Sequence, residues 1–334
     1  MDLILSIPLL STLATPSWQT SLNILFFYTT WSTLVLTQRA PSIHSASLLV
    51  LRIALWLVPS LIFTAFDTLL PSLASNIKLP SAASPCPPRL TLQRLSLPAG
   101  NMLLVTATES IISFTFYHLF GNPLFRTATT LPLPWQMVRH MALVAAAREI
   151  LTYYIHRFIL HDQSSSSISG PLSRLHLAYA HEGRTTWPLQ LYDDHPLPLL
   201  VYHLVPTLLP CLLLRPHLLT YILLTALWTL EGTLVTSGYS VVPGIMLGGM
   251  ARRTAAHYAG RGAGNFGPWG VLDWAHGTSR GGDVVSDAKD EADKHNVKEK
   301  SAAKVDRGAS DVSQGLDALR DGALKRSNRN ASRK

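Results

Sequence analysis

The chain has 334 residues, of which 47% are hydrophobic and only 14% charged, with a formal net charge of +8. A soluble domain usually carries about 25% charged residues, so this composition excludes an ordinary soluble protein and predicts an integral membrane one. The excess Lys and Arg are spread along loops and the C-terminal end, with no basic stripe interleaved with aromatics, which argues against nucleic-acid binding.

The N-terminus is apolar almost from Met1 and lacks a basic leader, so it does not read as a secretory signal. Apolar runs follow at Leu22–Thr37, Ala46–Ala65, Met102–Phe120, Trp135–Ile155, Leu197–Leu214 and Leu218–Val235. About 20 apolar residues in a helix cross the hydrocarbon core, so these runs predict an all-α, polytopic helical bundle. Arg52, Pro59 and Glu109 interrupt the second and third runs. Asn76–Arg94 is rich in Pro and Ser and reads as a loop, and Ser164–Ser167 as a low-complexity excursion. Cys86 and Cys211 are too few and too far apart for a disulfide framework, and Cys211 reads as a small core residue. From Gly281 the sequence is polar and carries no aromatic residue, a composition that predicts a disordered tail over residues 281–334.

Arg215-Pro216-His217 separates two apolar runs of nearly equal, membrane-spanning length, which predicts a hairpin that enters and returns on one side. His195 precedes this hairpin and Tyr239 follows it. No spanning run separates His156 from His195, or Tyr239 from His257, so His156, His161, His176, His181, His195 and His257 fall on one membrane face. Arg157, Arg174, Arg184, Arg252, Arg253, Arg261 and Arg280 lie on that face too, whereas the hairpin tip offers Arg215 alone. The positive-inside rule makes the histidine face cytosolic.

Histidine is costly beside hydrocarbon and is the commonest metal ligand among side chains, so the cluster reads as a metal site. The pairs His156/His161 and His176/His181 are each spaced by five. On an ideal α-helix such residues lie about 140° apart, so each pair shares one ion only near a helix end, or flanks two ions. His44, His118, His140, His203 and His217 read instead as single amphipathic anchors at the interface. The glycines of Ala259–Gly264 follow no strand and precede no Lys-Ser/Thr, so the phosphate-loop pattern fails; they read as a tight turn delivering His257.

Glu149-Ile-Leu-Thr-Tyr-Tyr154-Ile-His156-Arg157-Phe-Ile-Leu-His161 resembles the first histidine box of the fatty acid hydroxylase/sterol desaturase superfamily. Leu175–Gly183 (LHLAYAHEG) falls where the second box belongs. Tyr192-Asp-Asp-His195-Pro196 resembles the His-Pro segment before the family's hairpin. Ser237-Gly238-Tyr239 and His257–Ser279, with Asn265-Phe266-Gly267 and Asp273…Gly277-Thr278, resemble the segments that close the domain. The resemblance divides the chain into N-terminal transmembrane helices and loops (1–134), a fatty acid hydroxylase-like domain (135–280) and the tail.

That family implies a non-haem membrane oxygenase of the endoplasmic reticulum holding two Fe ions. It would hydroxylate or desaturate a sterol, sphingoid, fatty acyl or terpenoid lipid with O2 and electrons from a donor such as cytochrome b5 and its reductase. By the same resemblance His156, His161, His176, His181 and His257 would be metal ligands, and His195 an additional ligand or one step removed. Glu149, seven residues before His156, would orient a ligand ring, and Tyr258 could bind or adjoin the metal as a phenolate or be an aromatic-belt residue. The sequence departs from the pattern at four places: Ala180-His181 and His257-Tyr258 replace His-His pairs, the leading His of the third box falls near Arg253 or Thr254, and Thr236 replaces the His before Ser-Gly-Tyr. Glu182, Asp193, Asp194 or Glu231 could supply oxygen instead, or be solvated or paired acids. Six imidazoles suffice for one metal and are sparse for two. An inactive relative that binds lipid or scaffolds a complex is the competing function; a transporter would place polar residues at mid-membrane, whereas these histidines sit at helix ends.

Overall fold

The computed structural model describes residues 18–79, 92–162, 169–242 and 245–294. Cys86, Ser164–Ser167 and the tail beyond residue 294 lie outside the described residues. The described residues are helical, without strands. In chain order they form α1 (Trp18–Thr37), α2 (Ala40–Leu69), α3 (Pro71–Ile77), α4 (Leu92–Phe120), α5 (Pro134–Ile155), α6 (Ser169–Tyr179), α7 (Pro196–Leu214), α8 (Leu218–Thr236), α9 (Ile245–Ala259), α10 (Val271–Ala275) and α11 (Val284–Lys294). One compact unit runs to Val284 and a second begins at Val285. The polar stretch expected to be disordered from Gly281 is thus helical over Val284–Lys294. Likewise the loop expected over Asn76–Arg94 is shorter than that, because α4 already begins at Leu92.

Among the described residues, four helical segments are long and apolar enough to cross a membrane: Ala40–Leu69, Arg94–Phe120, and the hairpin arms Pro196–Leu214 and Leu218–Thr236. The hairpin turns as the sequence requires. Arg215 ends α7 in the left-handed region at φ 43°, and the His217 imidazole caps α8 by accepting the Leu219 N–H at 3.2 Å. Residues after α4 lace this tip, the Arg126 N–H donating to Pro216 and the Leu218 N–H to Arg126. Helix α5 is 22 residues long but carries Arg139, Arg148 and Glu149 and is not among the four; it lies along α7. At the tip end Trp31, Leu48, Phe125, Cys211, Tyr221 and Leu224 form one apolar core. Trp56, Met102, Val105, Leu189, Tyr192 and Leu199 form a second core nearer the histidines.

The charges that interrupt the second and third apolar runs find each other. Arg52 and Glu109 are both buried and meet at 2.5 Å between α2 and α4. Arg52 also donates to Thr106, and Tyr221 of α8 donates to Glu109. An intramembrane charge is tolerated when paired in this way inside the bundle. His44, His203 and His217, expected as interface anchors, are instead packed inside: His44 lies against Phe125 and Tyr221, His203 stacks on Tyr192, and His217 caps α8 beside Trp31. Apolar neighbours from other helices, invisible to local hydropathy, decide their burial.

Removing one partner of a buried ion pair strands the other, at a cost of about 3–5 kcal/mol. Glu109→Ala should therefore lower the melting temperature of the detergent-solubilised protein markedly, and Glu109→Gln, which keeps a hydrogen-bond acceptor for Arg52, should lower it less. Equal melting temperatures for Glu109→Ala and the parent would contradict the pairing.

Candidate metal centre

The first histidine pair meets because the helix changes its winding. Helix α5 runs straight into a π-helical turn over His156–Leu160, closed by a bond from the His161 N–H to the His156 carbonyl at 3.0 Å. A π turn bonds residues five apart and so stacks them, where an α-helix would splay them. The two Nε2 atoms come to 3.2 Å. His181 reaches the same place by a different route: α6 ends at Tyr179, and His181 stands in the turn beyond it, with His176 still on the helix. His257 projects from the last turn of α9.

These five rings form one group. The His161 ring lies at the middle, its centroid 4.8 Å from that of His156, 5.0 Å from His176, 4.9 Å from His181 and 4.9 Å from His257. His156, His161, His181 and His257 each offer a nitrogen within 4.8 Å of the others, a set that could hold a metal ion. All but His161 are buried, and His161 is half-buried.

The outer nitrogens are fixed by the fold. His156 Nδ1 meets the Phe266 carbonyl at 2.8 Å, His257 Nδ1 the Gly264 carbonyl at 2.6 Å, and His176 Nδ1 the Asp194 carboxylate at 2.7 Å. Each bond sets the tautomer and turns Nε2 inward, as partners behind metal-ligating histidines do. The Nε2 atoms of His176, His181 and His257 have no hydrogen-bond partner although buried. Buried polar groups ordinarily find partners, so inward-facing bare nitrogens on several rings fit a metal ion. Burial and the neighbouring rings push these imidazoles below their ordinary value of 6.5: His257 to about 4, His181 to about 2, and His156 and His161 well down too. Neutral imidazole is the form that binds metal.

The loop that supplies two of those carbonyls hangs on Asp273. This buried carboxylate accepts the Phe266 and Gly267 N–H groups at 2.9 and 2.7 Å and the Thr278 hydroxyl at 2.6 Å. Glu149 steadies the same loop by accepting the Trp269 N–H at 3.1 Å. Of the ring-orienting role expected for Glu149, the structure shows the loop contact: both carboxylate oxygens lie within reach of the Trp269 N–H, so its hold on the rings runs through that loop. His195 is not brought into the group. Its ring caps α7, accepting the Leu197 N–H at 3.3 Å, and lies against Tyr179. Its neighbour Asp194 holds His176, so this acid is neither solvated nor turned to the metal side. Glu231 is spent on Arg148 at 3.6 Å. Tyr258 is buried with its ring 5.0 Å from that of His181, and burial raises its phenol, which keeps it protonated. It packs on a ligand ring, without a phenolate to offer.

Sequence reasoning passed over the role of Gly262. Its φ is +77°, and a Cβ there would lie 2.0 Å from the His161 ring. The glycines therefore serve His161 as well as His257: the turn after α9 lies directly on the central imidazole.

What the fold and site define is a helical membrane protein with a largely buried cluster of five histidines, four of which could hold a metal ion. Residues 141–278, which contain all five clustered histidines, match the model of the fatty acid hydroxylase family. No solved structure matches the chain.

Two outcomes follow from this geometry. Gly262→Ala drives a methyl into the His161 ring and should weaken metal binding about 10–100-fold, the range for lost ligand positioning, as read by metal titration; unchanged affinity would contradict the contact. The second concerns pH. Below about 6.5 the unfolded chain takes up protons that the folded, metal-free cluster excludes, so folding stability must fall as pH falls. The loss should begin near pH 6.5 and continue toward pH 4 and below, the window set by His257 and His181. Melting curves of metal-free protein that are flat across pH 7 to 4.5 would contradict buried neutral imidazoles.

Proposed function

We propose that the chain is an iron-dependent oxygenase of a membrane lipid, hydroxylating or desaturating an unreactive C–H position with O2 and electrons from a partner such as cytochrome b5 and its reductase. The observation that carries this reading is the convergence of five imidazoles, four buried and one half-buried, four of which offer nitrogens within 4.8 Å of one another. Imidazole donors suit iron, and the family whose model residues 141–278 match is one of hydroxylases. The chemistry supplied by iron when bound is reductive activation of O2. The chain's own residues do the rest: His156, His161, His176, His181 and His257 would hold the ion, while Asp194 and the Phe266 and Gly264 carbonyls keep their rings aimed.

A cavity of about 140 Å3 opens beside His156 and His257 between α5, the hairpin and α9. Its walls mix Leu191, Val235, Met250 and Phe266 with Thr152, Thr207 and Tyr202 and with the paired Arg148 and Glu231. Such a wall suits the largely apolar substrate of a lipid enzyme. Its place within the bundle favours entry from the bilayer. The histidine face carries the Arg-rich loops, which supports a cytosolic orientation and, with the lipid substrate, residence in the endoplasmic reticulum.

The test is His156→Ala in the full-length protein, expressed in membranes with iron and the electron donors supplied. Iron content should drop sharply and oxidation of added lipid should disappear, with the melting temperature of the metal-free protein little changed. Oxidation retained in this variant would refute the assignment. A parent protein that binds lipid but takes up no iron would favour the inactive, lipid-binding alternative.

A further inference from the structure

The positions at which the sequence departs from the family's histidine pattern are scattered along the chain, yet they meet in space. Thr236 ends α8, and Thr254 and Tyr258 lie on α9, and all three line the cavity that also touches His156 and His257. The remaining departure, Ala180, borders the same place through its carbonyl, which accepts from Gln190, another cavity residue. The substitutions thus remove nitrogen donors from one side of the histidine group and leave open space there.

Nothing on that side replaces them as a cation site. The Thr236 hydroxyl donates to the Gly232 carbonyl of its own helix at 2.8 Å. Tyr258 packs its ring on that of His181, and Glu231 faces Arg148. His156 and His257 each have one nitrogen committed to a carbonyl, so each has a single nitrogen left, and His156 turns that atom toward His161. Among the described residues, one group of three or more His, Cys, Asp or Glu side chains comes within reach of a common ion, and it is His156, His161, His181 and His257. Two adjacent cations also need ligands on both sides to offset their repulsion. Neutral hydroxyls on one side do not supply this.

We propose that the centre is mononuclear: the histidine cluster holds one metal ion, and the position beside it is a cavity that receives an uncharged segment of the lipid. This inference rests on the metal-binding reading above. The volume supports it, because a protein cavity of about 150 Å3 is large enough to take up benzene, and this one measures about 140 Å3. It abuts the metal group directly, so a substrate segment seated there lies next to the ligand rings.

The experiment is anaerobic titration of the detergent-solubilised full chain with Fe(II), and in parallel with Co(II), read by bound metal per chain and by electron paramagnetic resonance. One ion per chain, with the signal of an isolated high-spin Co(II), is expected. Thr254→Phe fills the cavity without removing a donor, and should still bind one ion. Two ions per chain, or an exchange-coupled pair, would overturn the proposal while leaving the oxygenase reading intact. A parent that binds two ions and a Thr254→Phe variant that binds one would overturn it as well, by locating a second ion in the cavity. No uptake of either metal would overturn both readings together. As an independent check, Thr236→His combined with Thr254→His and Tyr258→His should raise the stoichiometry above one if it folds; if it does not fold, the Thr254→Phe result decides.

Discussion

Four buried imidazoles and a half-buried one, packed ring against ring with the inward nitrogens of His176, His181 and His257 lacking a hydrogen bond, form an arrangement that a protein does not reach by default. Charging His156, His161, His181 or His257 would place a cation among its neighbours in a site of low dielectric, so those four stay neutral, and neutral rings turn lone pairs on one another. What makes this tolerable is the set of bonds behind the rings. The Phe266 and Gly264 carbonyls and the Asp194 carboxylate take the outer N–H groups, and so decide which nitrogen faces inward. Each such bond is worth about 1 kcal/mol or somewhat more. Their larger effect is geometric, since they aim three rings before any ion arrives.

The rest of the fold serves that aim. The hairpin of α7 and α8 gives the site a membrane-embedded floor, and α5 runs beside it to deliver His156 and His161. The π turn converts an awkward five-residue spacing into a stacked pair, and the turn after α9 needs Gly262 because the His161 ring occupies the space where a side chain would stand. Asp273 and Glu149 do not touch the rings. By holding backbone N–H groups of the closing loop they keep the carbonyls of Phe266 and Gly264 where His156 and His257 require them. A site built from segments far apart in sequence depends on such tethers, because no single helix can hold all five rings.

Much of this was legible in the residues. The hairpin could be read because two apolar runs of equal length flank a single Arg-Pro-His turn. The histidine cluster could be read because spaced histidine pairs beside apolar runs have no cheaper explanation. Contacts made at long range are what local spacing does not show. Glu149 was placed by its distance along the helix, yet its partner Trp269 lies 120 residues away. His195 belongs to a His-Pro segment of the right look, yet it caps a helix while its neighbour Asp194 reaches the metal group. The π turn was hidden because ideal α-helical arithmetic assumes the winding it was meant to test. Similarly, the missing histidines look like scattered losses in the sequence, yet the fold brings Thr236, Thr254 and Tyr258 to one cavity.

The central claim is that these imidazoles share a metal, and X-ray absorption of the iron-loaded, full-length protein tests it most directly. The account predicts an inner shell dominated by nitrogen, with the outer-ring scattering of several coordinated imidazoles. A shell of oxygen alone, with no imidazole signature, would contradict it.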